Sequence, residues 1–122
     1  MKGEREMSNE IKPIILRDTE TNMTYTLEFS RETVRFAEMR GFDVNEVAKY
    51  PVSKLPELFY YAFRMHHKSL SRQQTDKILF EDLGGMPDGM MERLVHLYAL
   101  PYDTLIQKED AENRPTKMTV EF

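Results

Sequence analysis

Residues 23–34 read MTYTLEFSRETV, and the period of the chain changes inside them. Tyr25, Leu27 and Phe29 alternate with Thr24, Thr26 and Glu28, so the first half has one apolar and one polar face, as a half-buried strand does. At Ser30 the pattern turns helical. A serine there can accept a hydrogen bond from a first-turn amide, and Phe29 before it is placed to pack on Val34 as a hydrophobic staple. Strand gives way to helix at one residue, which predicts a fold of both kinds.

Working outward towards the N-terminus, KPIILR at 12–17 is apolar and β-branched. The intervening DTETN offers turn residues, with Asn22 able to take a left-handed conformation, so 12–29 is predicted as a β-hairpin. A lone hairpin is marginal in water and must lie on something. Residues 1–11 are polar, without periodicity, and are expected to form a flexible tail.

Towards the C-terminus the chain reads as helices over 31–107. RETVRFAEMR is stopped by Gly41. Asp43 opens a short helical segment, VNEVAKY, that Pro51 is expected to end. A central helix starting near Ser53 to Pro56 carries Leu55, Leu58, Phe59, Ala62, Phe63 and His66 on one apolar stripe. Ser71 and Gln74 form a capping-box pattern for the next helix, whose Ile78, Leu79 and Leu83 face inward before Gly84-Gly85. The last helix begins around Pro87 and carries Met90, Met91, Leu94, Leu97, Tyr98 and Leu105, with Pro101 either kinking it or starting a second short helix. The expected fold is mainly α with a small N-terminal β-hairpin (α+β), four to five helices packed as a compact bundle against the hairpin. Residues 12–107 make a single globular domain, and 108–122 a polar linker with a strand-like tail in which Met118, Val120 and Phe122 alternate with Thr119 and Glu121. That tail could return to the hairpin as a third strand or add to the sheet edge of another protein.

Composition narrows the function classes. With 40% apolar and 31% charged residues in 122, the chain is an ordinary globular sequence. A net charge of −4 argues against a nucleic-acid surface, which requires a basic excess. No cysteine is present, which excludes disulfides, thiolate ligands and cysteine catalysis. No apolar run approaches the roughly 20 residues that span a bilayer, and MKGEREMSNE lacks the apolar core of a secretory signal. No membrane association is expected. The nine methionines suit either an irregular core or a surface that adapts to a partner.

Candidate chemistry is sparse. In FYYAFRMHHKSL at 59–70, His66 and His67 point about 100° apart on a helix and cannot share one metal from one face. His66 continues the apolar stripe, whereas His67 falls with Tyr60 and Arg64 on an outer face. Arg64, His67, Lys68 and Arg72 gather where a helix C-terminus favours positive charge. Glu92 and His96 sit four apart on an outer face, a spacing that usually marks a solvated contact. The glycines of residues 84–89 lack the order that cradles phosphates and suit a helix stop followed by a proline start. No catalytic residue, metal ligand or cofactor site is therefore assigned, and the chain is expected not to be an enzyme.

FSRETVRFAEMRGF at 29–42, PELFYYAFRMHHK at 56–68, TDKILFEDLGG at 75–85 and ERLVHLYALPYDTLI at 92–106, taken together, resemble the tail assembly chaperones of long-tailed phages and prophages of Gram-positive bacteria. The likeness runs over about residues 12–107, and the terminal KMTVEF is similar to that family's usual ending. The resemblance implies a small, mainly helical, non-enzymatic protein of the bacterial host cytoplasm. Such chaperones bind the tape-measure protein, keep its apolar helices soluble and help recruit tail-tube subunits during tail morphogenesis. Many also exist in a longer frameshifted form, a further partner of the short one, and the resemblance leaves room for a homo-oligomer.

A helical partner of that kind needs an apolar or methionine-rich groove. Met65, Met86, Met90 and Met91 with Tyr60 and Tyr61 are the candidate lining. The two tyrosines fall off the Leu55 to His66 stripe, which suits either interface anchors or a second packing surface. The competing expectation is a small helical regulatory or nucleic-acid-binding domain that uses residues 71–83 as a recognition helix.

Overall fold

The computed structural model describes residues 11–105 and 117–122. Residues 1–10 of the expected tail at 1–11, and residues 108–116 of the expected linker, lie outside them. Strands β1 (Ile14–Arg17) and β2 (Thr24–Leu27) form an antiparallel hairpin in which Ile14 faces Leu27 and Arg17 faces Thr24. Four α-helices follow: α1 (Arg31–Met39), α2 (Pro51–Phe63), α3 (Arg72–Lys77) and α4 (Met90–Asp103). A 3₁₀ turn at Val44–Glu46 joins α1 to α2, and α3 runs on into a π-helical turn at Ile78–Asp82. The fold is α+β, as the sequence predicts.

Local chemistry explains most element ends. In the hairpin loop the Asp18 carboxylate accepts from the backbone N–H of Glu20 at 2.8 Å and of Thr21 at 3.2 Å, which holds its carboxyl below the usual range. Asn22 closes the loop in the left-handed conformation at φ 65°. At the start of α1, Ser30 Oγ accepts from Thr33 N–H while Thr33 Oγ1 accepts from Ser30 N–H, a reciprocal cap worth about 1 kcal/mol. Helix α1 ends on Gly41 at φ 87°. Gly41 N–H donates to Glu38 O and Phe42 N–H to Ala37 O, which satisfies the last carbonyls and turns Phe42 into the core. Ser71 and Gln74 cap α3 in the same reciprocal way.

Helix α2 is the hub, packing against β2, α1, the 3₁₀ turn, α3 and α4. Leu58, Phe59, Ala62 and Phe63 are buried, joined by Leu27 of β2, Val34 and Ala37 of α1, and Leu94, Leu97 and Tyr98 of α4 in one hydrophobic cluster. Aromatic edges knit it together: Phe42 meets Tyr61 at 5.3 Å and Tyr98 at 5.6 Å between ring centroids, and Phe29 meets Tyr98 at 5.0 Å, all edge to face. Tyr98 is fully buried, and among the described residues its hydroxyl makes no hydrogen bond of good geometry; burial first, then the neighbouring Tyr102 and Glu38, raise its pKa.

Several expectations need correction. Helix α2 begins at Pro51, not near Ser53 to Pro56, because a proline that ends one helical segment can equally open the next one at a position whose amide has no helical partner. Pro56 thus falls past the first turn, inside the helix and buried. Helix α4 begins at Met90, three residues after Pro87, and continues through Pro101 to Asp103 as one helix. Leu105 lies beyond it, exposed. Ile11, placed in the tail on composition, packs against the core. Residues 117–122 form no strand: the hairpin has two strands, and Met118, Val120 and Phe122 are exposed without the paired neighbour that a strand requires.

The histidines exchange the roles predicted for them. Helix α2 ends at Phe63, so the 3.6-residue phase does not carry through residue 66. His66 is exposed and pairs with the Glu28 carboxylate at 2.6 Å. His67 instead turns inward: its Nε2 accepts the backbone N–H of Thr26 at 2.9 Å, and its ring meets Tyr25 and Phe63 edge to face. Beside it, Glu28 N–H donates to Ala62 O at 3.2 Å. The outer edge of β2 is therefore closed by the C-terminal end of α2.

Two outcomes follow from this packing. An accepting Nε2 carries no proton, and burial, then the neighbouring His66, lower the His67 pKa below its ordinary 6.5. A depressed folded pKa gives stability that is complete above about pH 6.5 and declines as pH falls through the folded value. Replacing His67 with leucine should cost about 1 kcal/mol by stranding the Thr26 amide, and should flatten the stability profile below about pH 6.5 in denaturant titrations. The Tyr98→Phe change removes a buried hydroxyl that makes no hydrogen bond of good geometry, so it should leave stability unchanged or raise it by about 1 kcal/mol in the same titrations.

Candidate functional site

The six residues predicted to line a partner groove do not come together as one surface. Tyr61 is 3% exposed, held edge to face by Phe36 and Phe42, and Met90 is buried in the core cluster. Both fail as contacts, Tyr61 because Phe36 and Phe42 cover it and Met90 because the first residue of α4 turns into the core. Tyr60 is half-buried with its ring tilted on Tyr61 at 5.2 Å, and Met86 and Met91 are half-buried against the core. Of the six, Met65 is the most exposed, at 42%.

Met65 belongs to a different surface, formed where the C-terminal end of α2 meets the outer face of α1. Phe36 and Met39 of α1 lie there with Arg64, Met65 and Lys68 after α2, around a shallow groove of about 360 Å³. Helix α1 presents Met39 at 73% exposure, since its core face is already used by Val34 and Ala37. The Arg64 guanidinium stacks 3.6 Å above the centre of the half-buried Phe36 ring, and that of Arg40 lies 5.2 Å from the same ring. Stacking on an aromatic face fixes a planar cation at low entropic cost. Arg35 and Lys68 add to the rim, and Glu32 is the single carboxylate among the lining residues. An acidic chain thus carries one local basic patch with two exposed methionines at its centre.

The spacing of Arg35 and Met39 in α1 was available to sequence reasoning as an exposed i, i+4 pair. Its junction with Met65 was not, because nothing local says which helices are neighbours. The basic cluster predicted from Arg64, His67, Lys68 and Arg72 also divides. Arg64 and Lys68 join the groove, His67 serves the hairpin, and Arg72 pairs with Asp76 at 2.9 Å.

A second cleft, of about 670 Å³, lies across the bundle between α4 and the segment joining α1 to the 3₁₀ turn. Its walls are Phe42, Val44, Val95 and Tyr98, and its polar rim is Glu38 with Asp43. The Tyr102 hydroxyl donates to the Glu38 carboxylate, an interaction that raises the Tyr102 pKa and ties the end of α4 to α1. Arg31 reinforces the same junction through Thr104. These contacts hold helices together. Among the described residues no three His, Asp or Glu side chains converge as metal ligands would, and no helix is long and apolar enough to cross a membrane.

No curated protein and no solved structure matches this chain. A family model described as a domain of unknown function, DUF5055, matches residues 7–122, and with nearly its whole length inside that match the chain belongs to the DUF5055 family.

Proposed function

We propose that this protein is a non-enzymatic tail assembly chaperone of a long-tailed phage or prophage, acting in the bacterial host cytoplasm by binding the tape-measure protein and helping to recruit tail-tube subunits. The observation that carries the reading is the groove at Phe36, Met39 and Met65, rimmed by Arg35, Arg40, Arg64 and Lys68. Methionine side chains are unbranched and polarizable, so they fit apolar helices of varied sequence. A chaperone for a long helical client needs that tolerance. The basic rim selects amphipathic helices whose apolar stripe is flanked by carboxylates. The resemblance of residues 29–42, 56–68, 75–85 and 92–106 to tail assembly chaperones supports the same reading.

The competing reading, a nucleic-acid-binding domain with residues 71–83 as a recognition helix, is weakened by the charges on that helix. Arg72 is paired with Asp76, and Lys77 with Glu81 and Asp82, so few cations remain for phosphates.

Coexpression with a helical fragment of the tape-measure protein provides the test. The wild-type chain should raise the soluble fraction of the fragment, and Met39→Glu with Met65→Glu should abolish the gain. Each change alone should weaken binding roughly tenfold, equivalent to about 1.4 kcal/mol. Because Met39 and Met65 are exposed, thermal stability should be unchanged in both variants. Retained solubilisation by the double variant, or binding to DNA that weakens steeply with salt, would sink the proposal.

A further inference from the structure

A two-stranded hairpin has two edges, and in this fold only one of them is closed. Thr26 and Glu28 point their amides away from β1, to His67 and Ala62. Antiparallel pairing alternates strictly, so Ile15 opposite Thr26 and Arg17 opposite Thr24 turn their own amides and carbonyls away from β2 as well. Among the described residues no hydrogen bond reaches the amide of either one. Pro13 has the same outward parity and no amide to offer. The open edge of β1 is flanked by a cleft of about 500 Å³ whose apolar walls are Leu16, Tyr25, Ile78 and Leu83, and the Ile15 side chain is 55% exposed beside it. Asp18, Glu20 and Asp82 line its polar side. An unpaired edge next to a cleft with an apolar wall is a template for another strand.

The chain itself carries a segment that fits. In residues 118–122 Met118, Val120 and Phe122 alternate with Thr119 and Glu121, and all three apolar side chains are exposed. An antiparallel register suits the charges: with Phe122 opposite Ile14 and Val120 opposite Leu16, Glu121 lies diagonal to Arg17 and Lys117 lies next to Asp18. In the antiparallel register Glu121 and Thr119 face Ile15 and Arg17, which present the outward amides, and Val120 and Phe122 sit over the cleft.

We propose that residues 118–122 of one copy add to β1 of a second copy as an antiparallel third strand, and that the exchange is reciprocal. A single chain leaves both the segment and the edge open. Two copies satisfy both at once, and a two-fold exchange is a closed, symmetric arrangement. The inference stands on the hairpin, the cleft and residues 118–122, and is independent of the client that the methionine groove binds.

The test is sedimentation velocity on the full chain from about 5 to 500 µM, the range expected of a small interface, combined with hydrogen exchange at the Ile15 and Arg17 amides. The mass should rise with concentration towards twice 14.5 kDa, and both amides should gain at least tenfold protection over the same range. Deleting 118–122, or removing one bonding amide with Glu121→Pro, should hold the chain monomeric and both amides unprotected. Neither change touches a buried residue, so the fold should persist by circular dichroism. A monomer at every concentration would overturn the proposal, whether the amides are unprotected or protected by the segment of the same chain. A dimer that survives the deletion would overturn it too.

Discussion

Everything in this small fold depends on where the outer amides of β2 find acceptors. A hairpin of four-residue strands is too small to persist alone, and an unsatisfied buried amide costs about as much as any single contact gains. The end of α2 resolves both problems. Its last turn offers the Ala62 carbonyl to Glu28, and the residues just past it offer the His67 ring to Thr26. Once those bonds are made, Leu27 is fixed against the hub helix and Phe29 against Tyr98, so the apolar face of the strand has no freedom left. The position of the sheet is thus a property of one helix terminus.

The same helix explains why the fold needs no larger sheet. Helices α1 and α4 both pack on α2 and on each other, and the ring of Phe42, turned inward by the glycine at 41, meets Tyr61 of α2 and Tyr98 of α4. The aromatic edges run continuously from the hairpin through Phe29 to the bundle, and function is left to the periphery. The groove at Met39 and Met65 lies where α1 and the end of α2 have used their inner faces and present what remains.

The parts of this arrangement legible in the sequence are those with local causes. Ser30, Gly41, Asn22 and the Ser71–Gln74 pair each act within a few residues, and each does what its chemistry predicts. The reciprocal role of Thr33 follows the same logic but was hidden because threonine is not the usual partner in that box. The errors arise where a distant segment decides. The stripe extrapolated through His66 because nothing between residues 55 and 66 signals that the helix stops at Phe63, and the reason His67 turns inward is a strand forty residues away. Tyr61 and Met90 read as candidate contacts since periodicity describes one face at a time, whereas this helix is covered on several. Pro51 obeys a rule that permits two outcomes. Residues 118–122 have the pattern of a strand, but pattern cannot supply a neighbour.

The bond from Thr26 to His67 joins residues 41 apart, and this has a consequence for the order of events during synthesis. The hairpin leaves the ribosome before its acceptors, which lie about forty residues further along the chain. At about 5–20 residues per second, the strands wait on the order of 2–8 s with both edges open before the end of α2 emerges to close one of them. During that interval the nascent chain is at its stickiest, and short strands reduce the danger because a four-residue edge offers few backbone bonds before Ile78 and Leu83 emerge to build the cleft beside it. Brevity in the sheet is then a safeguard of biosynthesis as much as a feature of the finished molecule.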